Sequence, residues 1–181
     1  MCAKFRWQTG LLGLSLLGFQ MPALGFDSAS LEFSNGNRTH VLRLAGQTRS
    51  PTSFAPTATT KIDLSWEWSL AYWRGTRVDP ETGSRNPLFD LGFGPDFRWI
   101  SRSGRGFFGE GGLAIHTLSG NYGNNGRRLS TKLQFLTHLG VGYVFENAVF
   151  LSLRAEHVSN GSIKQPNDGV NFVGIRVGRP F

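Results

Sequence analysis

An all-β fold, an eight-stranded antiparallel transmembrane β-barrel of the outer membrane, is what this 181-residue sequence predicts. Three observations carry it. Long segments alternate apolar and polar residues with period two, which gives each strand one greasy and one polar face. The chain is rich in Phe (15), Trp (5) and Gly (24), yet only 17% of it is charged. Its first residues read as an export leader, after which no apolar run reaches the roughly 18 residues that a membrane-spanning helix needs. Such a chain crosses a bilayer with strands, and because no open edge can face lipid the sheet must close.

The leader is expected over residues 1–25, ahead of a barrel over 26–181. Lys4 and Arg6 supply its basic region, residues 11–19 (LLGLSLLGF) its apolar run, and Ala23, Leu24 and Gly25 its small-residue cleavage site. Cleavage after Gly25 removes Cys2, the only cysteine, so the mature chain has no disulfide and no thiol nucleophile. The formal charge of +7 suits an anionic partner. For an exported chain that is a lipid headgroup or a lipopolysaccharide phosphate rather than nucleic acid.

Three strands are read with the clearest alternation. Over 60–73 the apolar set is Ile62, Leu64, Trp66, Trp68, Leu70 and Tyr72; over 88–99 it is Phe89, Leu91, Phe93, Phe97 and Trp99. Over 131–145 it is Leu133, Phe135, Leu139, Val141, Tyr143 and Phe145, opposite Lys132, Gln134, His138, Gly140 and Gly142. Shorter or rougher alternation marks 31–34, 39–47, 107–118, 149–159 and 171–181. A soluble sandwich would alternate too, but it would not place charges in the middle of long strands behind an export leader. The final Phe181 resembles the terminal aromatic of outer-membrane barrels. With both ends of the barrel chain periplasmic, the outer loops are 35–38, 74–87, 119–130 and 160–170, rich in Gly, Asn, Asp and Arg. The inner turns are 101–106 and 146–147. Residues 48–59 are too long for an inner turn, and the register there stays open.

The chemistry points to His157 and Ser159. Residues i and i+2 of a strand share a face with Cα atoms about 6.5–7 Å apart, so an imidazole there can activate a serine hydroxyl. Following the odd positions backwards gives Ala155, Leu153, Leu151 and Val149, so the pair continues the lipid-facing row, while Val158, Glu156, Arg154 and Ser152 face the lumen. Polar groups on the outer wall are costly, which makes a lipid the expected substrate. The returning strand carries Asn171 above Val173, Ile175 and Val177, so period two and a hairpin bring Asn171 beside the pair. A lone His-x-Ser is common in proteins, and polar residues at a membrane interface are the alternative.

The stretch HVSNGSIKQPNDG (157–169) resembles the signature of the PagL lipid A 3-O-deacylase family, a His-x-Ser-Asn motif on the penultimate strand followed by a loop of this type. The resemblance covers roughly residues 154–171; elsewhere it is limited to size, leader and barrel pattern. It implies an eight-stranded barrel in the bacterial outer membrane with an exterior site that hydrolyses the ester-linked 3-hydroxyacyl chain of lipid A. By the match, Ser159 is the nucleophile and His157 the general base. Asn160, with the backbone around Gly161 and Ser162, is the candidate oxyanion hole. The family's third member is usually a glutamate, and its position falls here on Asn171. An amide orients His in papain-like enzymes, although acid-to-Asn replacement in serine proteases costs about 10⁴ in rate. Asp168 is the alternative third member; Glu156 points to the other face.

No metal or cofactor is implied. His40, His116 and His138 share no short spacing and are read as strand or lumen residues. Arg74, Arg77, Arg85, Arg127, Arg128 and Lys164 are candidates to engage lipid A phosphates. Two other functions stay open: a non-catalytic barrel for adhesion or membrane integrity, and a phospholipase or acyltransferase on the same scaffold. A homodimer is also left open.

Overall fold

A computed structural model describes residues 25–54, 57–76 and 87–181. The leader expected over 1–25 and Cys2 lie outside these residues, except for Gly25 at the leader's end. The alternating segments form one closed antiparallel barrel. Its wall strands are β1 (Ser28–Gly36), β2 (Thr39–Phe54), β3 (Thr60–Gly75), β4 (Leu88–Ser101), β5 (Gly106–Leu118), β8 (Leu133–Val144), β9 (Phe150–Ser159) and β10 (Val170–Pro180). Two short strands, β6 (Tyr122–Asn124) and β7 (Arg127–Leu129), pair as a separate hairpin between β5 and β8. The barrel closes where β1 meets β10, from Ser28 opposite Pro180 to Asn35 opposite Val173.

The faces follow the sequence pattern. Trp66, Trp68, Leu70 and Tyr72 of β3, Phe89, Leu91 and Phe93 of β4, and Leu139 and Val141 of β8 all point outward and are exposed. The polar rows point in: Asp90 and Asp96 of β4, Gln134 and His138 of β8, and Ser152, Arg154 and Glu156 of β9 are buried. An apolar outside and a polar inside is the arrangement a lipid solvent demands, the reverse of a soluble sandwich. Large neighbours on the outer wall also pack on one another, as Trp68 does on Phe93 with ring centroids 4.2 Å apart.

The lumen is filled in three layers. At the end with the longer loops, an apolar cluster of Val41, Trp73, Leu118, Leu129, Val158, Val170 and Phe172 closes the barrel. At the other end, Ile100, Phe108, Val144 and Phe150 form a smaller one. Between them lies an ionic layer. Arg154 bridges Glu110 (2.7 Å), Asp96 (3.2 Å) and Glu67 (3.5 Å); Arg176 pairs with Glu67 (2.7 Å); Arg43 pairs with Glu32 (3.0 Å) and with Glu156. Charges so far from water persist only when each has a partner. His116 meets Asp90 and His138 meets Asp96 in the same layer, while His40 faces outward beside Phe33.

The stretch 48–59 differs from its reading as a connection. Most of it is strand: β2 runs on to Phe54, pairing Thr48 with Trp66 and Phe54 with Ile62. Between Arg49 and Ser53 the chain advances four residues while β3 advances two, from Ser65 to Asp63. This bulge holds Pro51, which has no N–H for a ladder. The link from Phe54 to Thr60 remains as the connection, and residues 55 and 56 in it lie outside those described.

Candidate active site

Strand pairing alone assembles the site. On β10, Asn171 is directly opposite His157 of β9, and on the other side Thr137 and Phe135 of β8 are opposite His157 and Ser159. His157 and Asn171 are exposed on the outer wall, and Ser159 is half-buried at the strand end. Below them the wall is apolar, with Ala155 flanked by Leu139 and Val173. The sequence reading of a polar cluster at the top of a lipid-facing row therefore describes where these side chains stand.

His157 Nδ1 lies 2.7 Å from Asn171 Oδ1. An amide oxygen has only lone pairs to offer, so Nδ1 carries the proton and donates it. The neutral ring then keeps its lone pair on Nε2. This is the tautomer a general base needs, and it is held without a carboxylate. The other candidate for the third position faces elsewhere: the Asp168 carboxylate accepts the Arg128 amide at 2.6 Å.

The loop that follows Ser159 turns at once. Gly161 and Ser162 both have positive φ (62° and 64°), and Ile163 N donates to Asn160 O at 3.2 Å, a tight turn of the I′ kind. The turn rests on Phe135, whose ring would lie 3.2 Å from a Cβ at Gly161. Neither the Gly161 nor the Ser162 N–H has a partner among the described residues.

Asn160 requires a correction. Its side chain is fully buried; Nδ2 donates to Lys164 O at 2.7 Å and its N–H donates to Asn167 Oδ1 at 2.9 Å. Asn160 fastens the loop from inside, which leaves the backbone N–H groups of Gly161 and Ser162 as the remaining candidates for an oxyanion hole. Burial of a loop residue depends on what the loop packs against, which spacing does not encode.

Two further residues, Gly169 and Arg127, belong to this neighbourhood. Gly169 is buried with φ 61°, and a Cβ there would lie 2.7 Å from His157 Cε1. Its carbonyl accepts from Arg127 Nη1 at 2.9 Å, and that nitrogen also donates to Asp168 O at 2.6 Å. Arg127, one of the candidates to engage lipid A phosphates, thus has one guanidinium nitrogen on two backbone carbonyls. Arg77 and Arg85 lie outside the described residues, and Arg74, Arg128 and Lys164 are exposed.

Comparison with known proteins converges on one family. The family profile described as Lipid A 3-O-deacylase (PagL) matches residues 40–180. Lipid A deacylase PagL of Bordetella bronchiseptica is 30% identical over 115 residues, spanning 62% of this chain and 60% of that protein. Its Pseudomonas aeruginosa counterpart is 31% identical over 131 residues, spanning 62% of this chain and 72% of that one. The crystal structure of the outer membrane enzyme PagL superposes with a TM-score of 0.72 at 25% identity, over 85% of this chain and 99% of that one. Neisserial surface protein A shares the fold alone, with a TM-score of 0.53 at 12% identity over 85% and 94% of the two chains.

Proposed function

The chain belongs to the lipid A 3-O-deacylase (PagL) family, and from that premise we propose that it is a serine esterase of the bacterial outer membrane. Its substrate is lipid A in the outer leaflet, from which it removes the ester-linked 3-hydroxyacyl chain at the 3-position. The observation that carries the catalytic reading is the 2.7 Å bond from His157 Nδ1 to Asn171 Oδ1 on the lipid-facing wall. It leaves Nε2 as a base two residues from the Ser159 hydroxyl.

In the first half-reaction Nε2 of His157 takes the Ser159 hydroxyl proton as Oγ attacks the ester carbonyl. The N–H groups of Gly161 and Ser162, which have no partner among the described residues, are the donors proposed for the oxyanion. Collapse of the tetrahedral intermediate breaks the bond to the sugar oxygen, which takes the proton back from His157. Water, deprotonated by the same nitrogen, then cleaves the acyl-serine and releases a 3-hydroxy fatty acid. Asn171 holds the ring in its working tautomer throughout but adds no negative charge to balance the imidazolium.

Mass spectrometry of lipid A from cells expressing the wild type, Ser159→Ala, His157→Ala and Asn171→Ala tests this reading. Loss of one hydroxyacyl group with the wild type, absent with Ser159→Ala and His157→Ala, supports it. Gain of an acyl chain would assign a transferase instead. Unchanged lipid A with the wild type would overturn both.

A further inference from the structure

The back of the His157 ring is held by a part of the molecule that belongs to neither β9 nor β10. Gly169 packs against the imidazole, so closely that a methyl group in its place would stand 2.7 Å from Cε1. Gly169 itself sits in the loop between β9 and β10, and that loop is laid against the β6–β7 hairpin as an added edge. Asp168 N donates to Arg128 O at 3.1 Å, Ser130 N donates to Pro166 O at 3.2 Å, and Leu129 bridges to Asn167. Ser130 Oγ donates to Lys164 O at 2.9 Å. The hairpin is in turn moored to the β1–β2 turn. Asn37 Nδ2 donates to Tyr122 OH at 2.9 Å, and Asn124 Nδ2 donates to Arg38 O at 3.0 Å.

Arg127 closes this chain of contacts. One guanidinium nitrogen holds the carbonyls of Asp168 and Gly169 together, at 2.6 and 2.9 Å, and so fixes the peptide that backs the imidazole. We propose that Arg127 is a positioning residue for His157, acting through the Gly169 carbonyl rather than by binding the lipid A phosphates. The inference rests on the serine-esterase reading of the site. An imidazole held on one edge by Asn171 still has freedom to tilt about that bond, and the Gly169 backbone removes it. A misplacement of about 1 Å can cost a reacting pair about a hundredfold in rate.

An alkyl fluorophosphonate separates positioning from substrate binding, because it carries no sugar phosphate. The activated Ser159 Oγ attacks phosphorus, fluoride leaves, and His157 takes the hydroxyl proton. The full chain, refolded in detergent and shown to be barrel by its heat-dependent gel mobility, is compared with Arg127→Ala, Arg127→Lys, Gly169→Ala and Ser159→Ala. Arg127→Ala should lose labelling rate and lipid A turnover in parallel, by about tenfold or more, with KM for lipid A little changed. Lysine, whose ammonium can also donate to two carbonyls, should restore most of the loss. Gly169→Ala should reproduce the defect with Arg127 intact. Arg127→Ala that labels like the wild type while KM rises would make Arg127 a substrate contact and overturn the inference. Equal labelling with unchanged KM would overturn it as well. Wild-type protein that does not label, together with Ser159→Ala that still deacylates, would sink the serine reading itself instead.

Discussion

The residue on which the proposed chemistry turns is Asn171. In serine proteases an acid-to-Asn change is ruinous because the amide presents its N–H₂ to the histidine and selects the wrong tautomer. Here the amide presents its oxygen, 2.7 Å from Nδ1, so orientation is retained and only the charge is missing. Asn171→Asp, nearly isosteric, should therefore raise kcat by stabilising the imidazolium, while Asn171→Leu should lower it by freeing the ring. Initial rates of hydroxy fatty acid release check both; a slower Asn171→Asp enzyme would mean that the carboxylate is not what this site lacks. The grouping of His157, Ser159 and Asn171 was legible because it follows from two facts that sequence does encode, period two on a strand and antiparallel pairing across one hairpin. The buried loop anchor Asn160 and the guanidinium of Arg127 were not. Their roles are set by which loop lies on which, and a loop has no period from which to infer it.

At the scale of elements, the most consequential one is also the one the sequence concealed. The strands β6 and β7 have three residues each, too short for alternation to register, and they stood within a single outer loop in the sequence reading. Tyr122 fixes them: it is buried, its hydroxyl accepts from Asn37 and shares a 2.9 Å hydrogen bond with Thr39 Oγ1, and its ring meets Trp73 edge-on. Tyr122→Phe keeps the ring contact and removes both hydrogen bonds, at a cost of about 1–3 kcal/mol for the polar partners left behind. The barrel should stay folded while the hairpin loosens, so limited proteolysis should cut between residues 124 and 128 faster than in the wild type. Unchanged cleavage would show that Leu129 and its apolar neighbours hold the hairpin alone. The extension of β2 past Gln47 was hidden for a different reason. Ser, Thr and Pro between residues 48 and 57 break the alternation, and the bulge at Pro51 shifts the face that each residue would be assigned to.

The whole molecule separates two tasks across the barrel wall, with the ionic layer inside and the proposed chemistry outside. The long alternating strands foretold which residues point inward, but not that those residues form an ionic layer sealed between two apolar ones. That depends on partners brought from distant strands: Arg154 of β9 reaches Glu110 of β5, Asp96 of β4 and Glu67 of β3. A barrel of this width filled by packed side chains is a plug rather than a pore. Removing Arg154 takes the shared cation from Glu110, Asp96 and Glu67 and leaves them to Arg98, His138 and Arg176; breaking a buried pair from one side costs up to about 3–5 kcal/mol. Arg154→Met should accordingly unfold from lipid vesicles at lower urea concentration. Glu110→Gln in the same chain should return part of the loss, since it removes one of the negative charges that Arg154 balanced, and the double-mutant cycle isolates that coupling. Lipid A turnover by the fraction still folded should stay near wild type, because Arg154 faces the lumen while His157 and Ser159 face lipid. A folded Arg154→Met barrel with deficient turnover would show instead that the ionic layer sets the curvature of β9 on which the outer site depends.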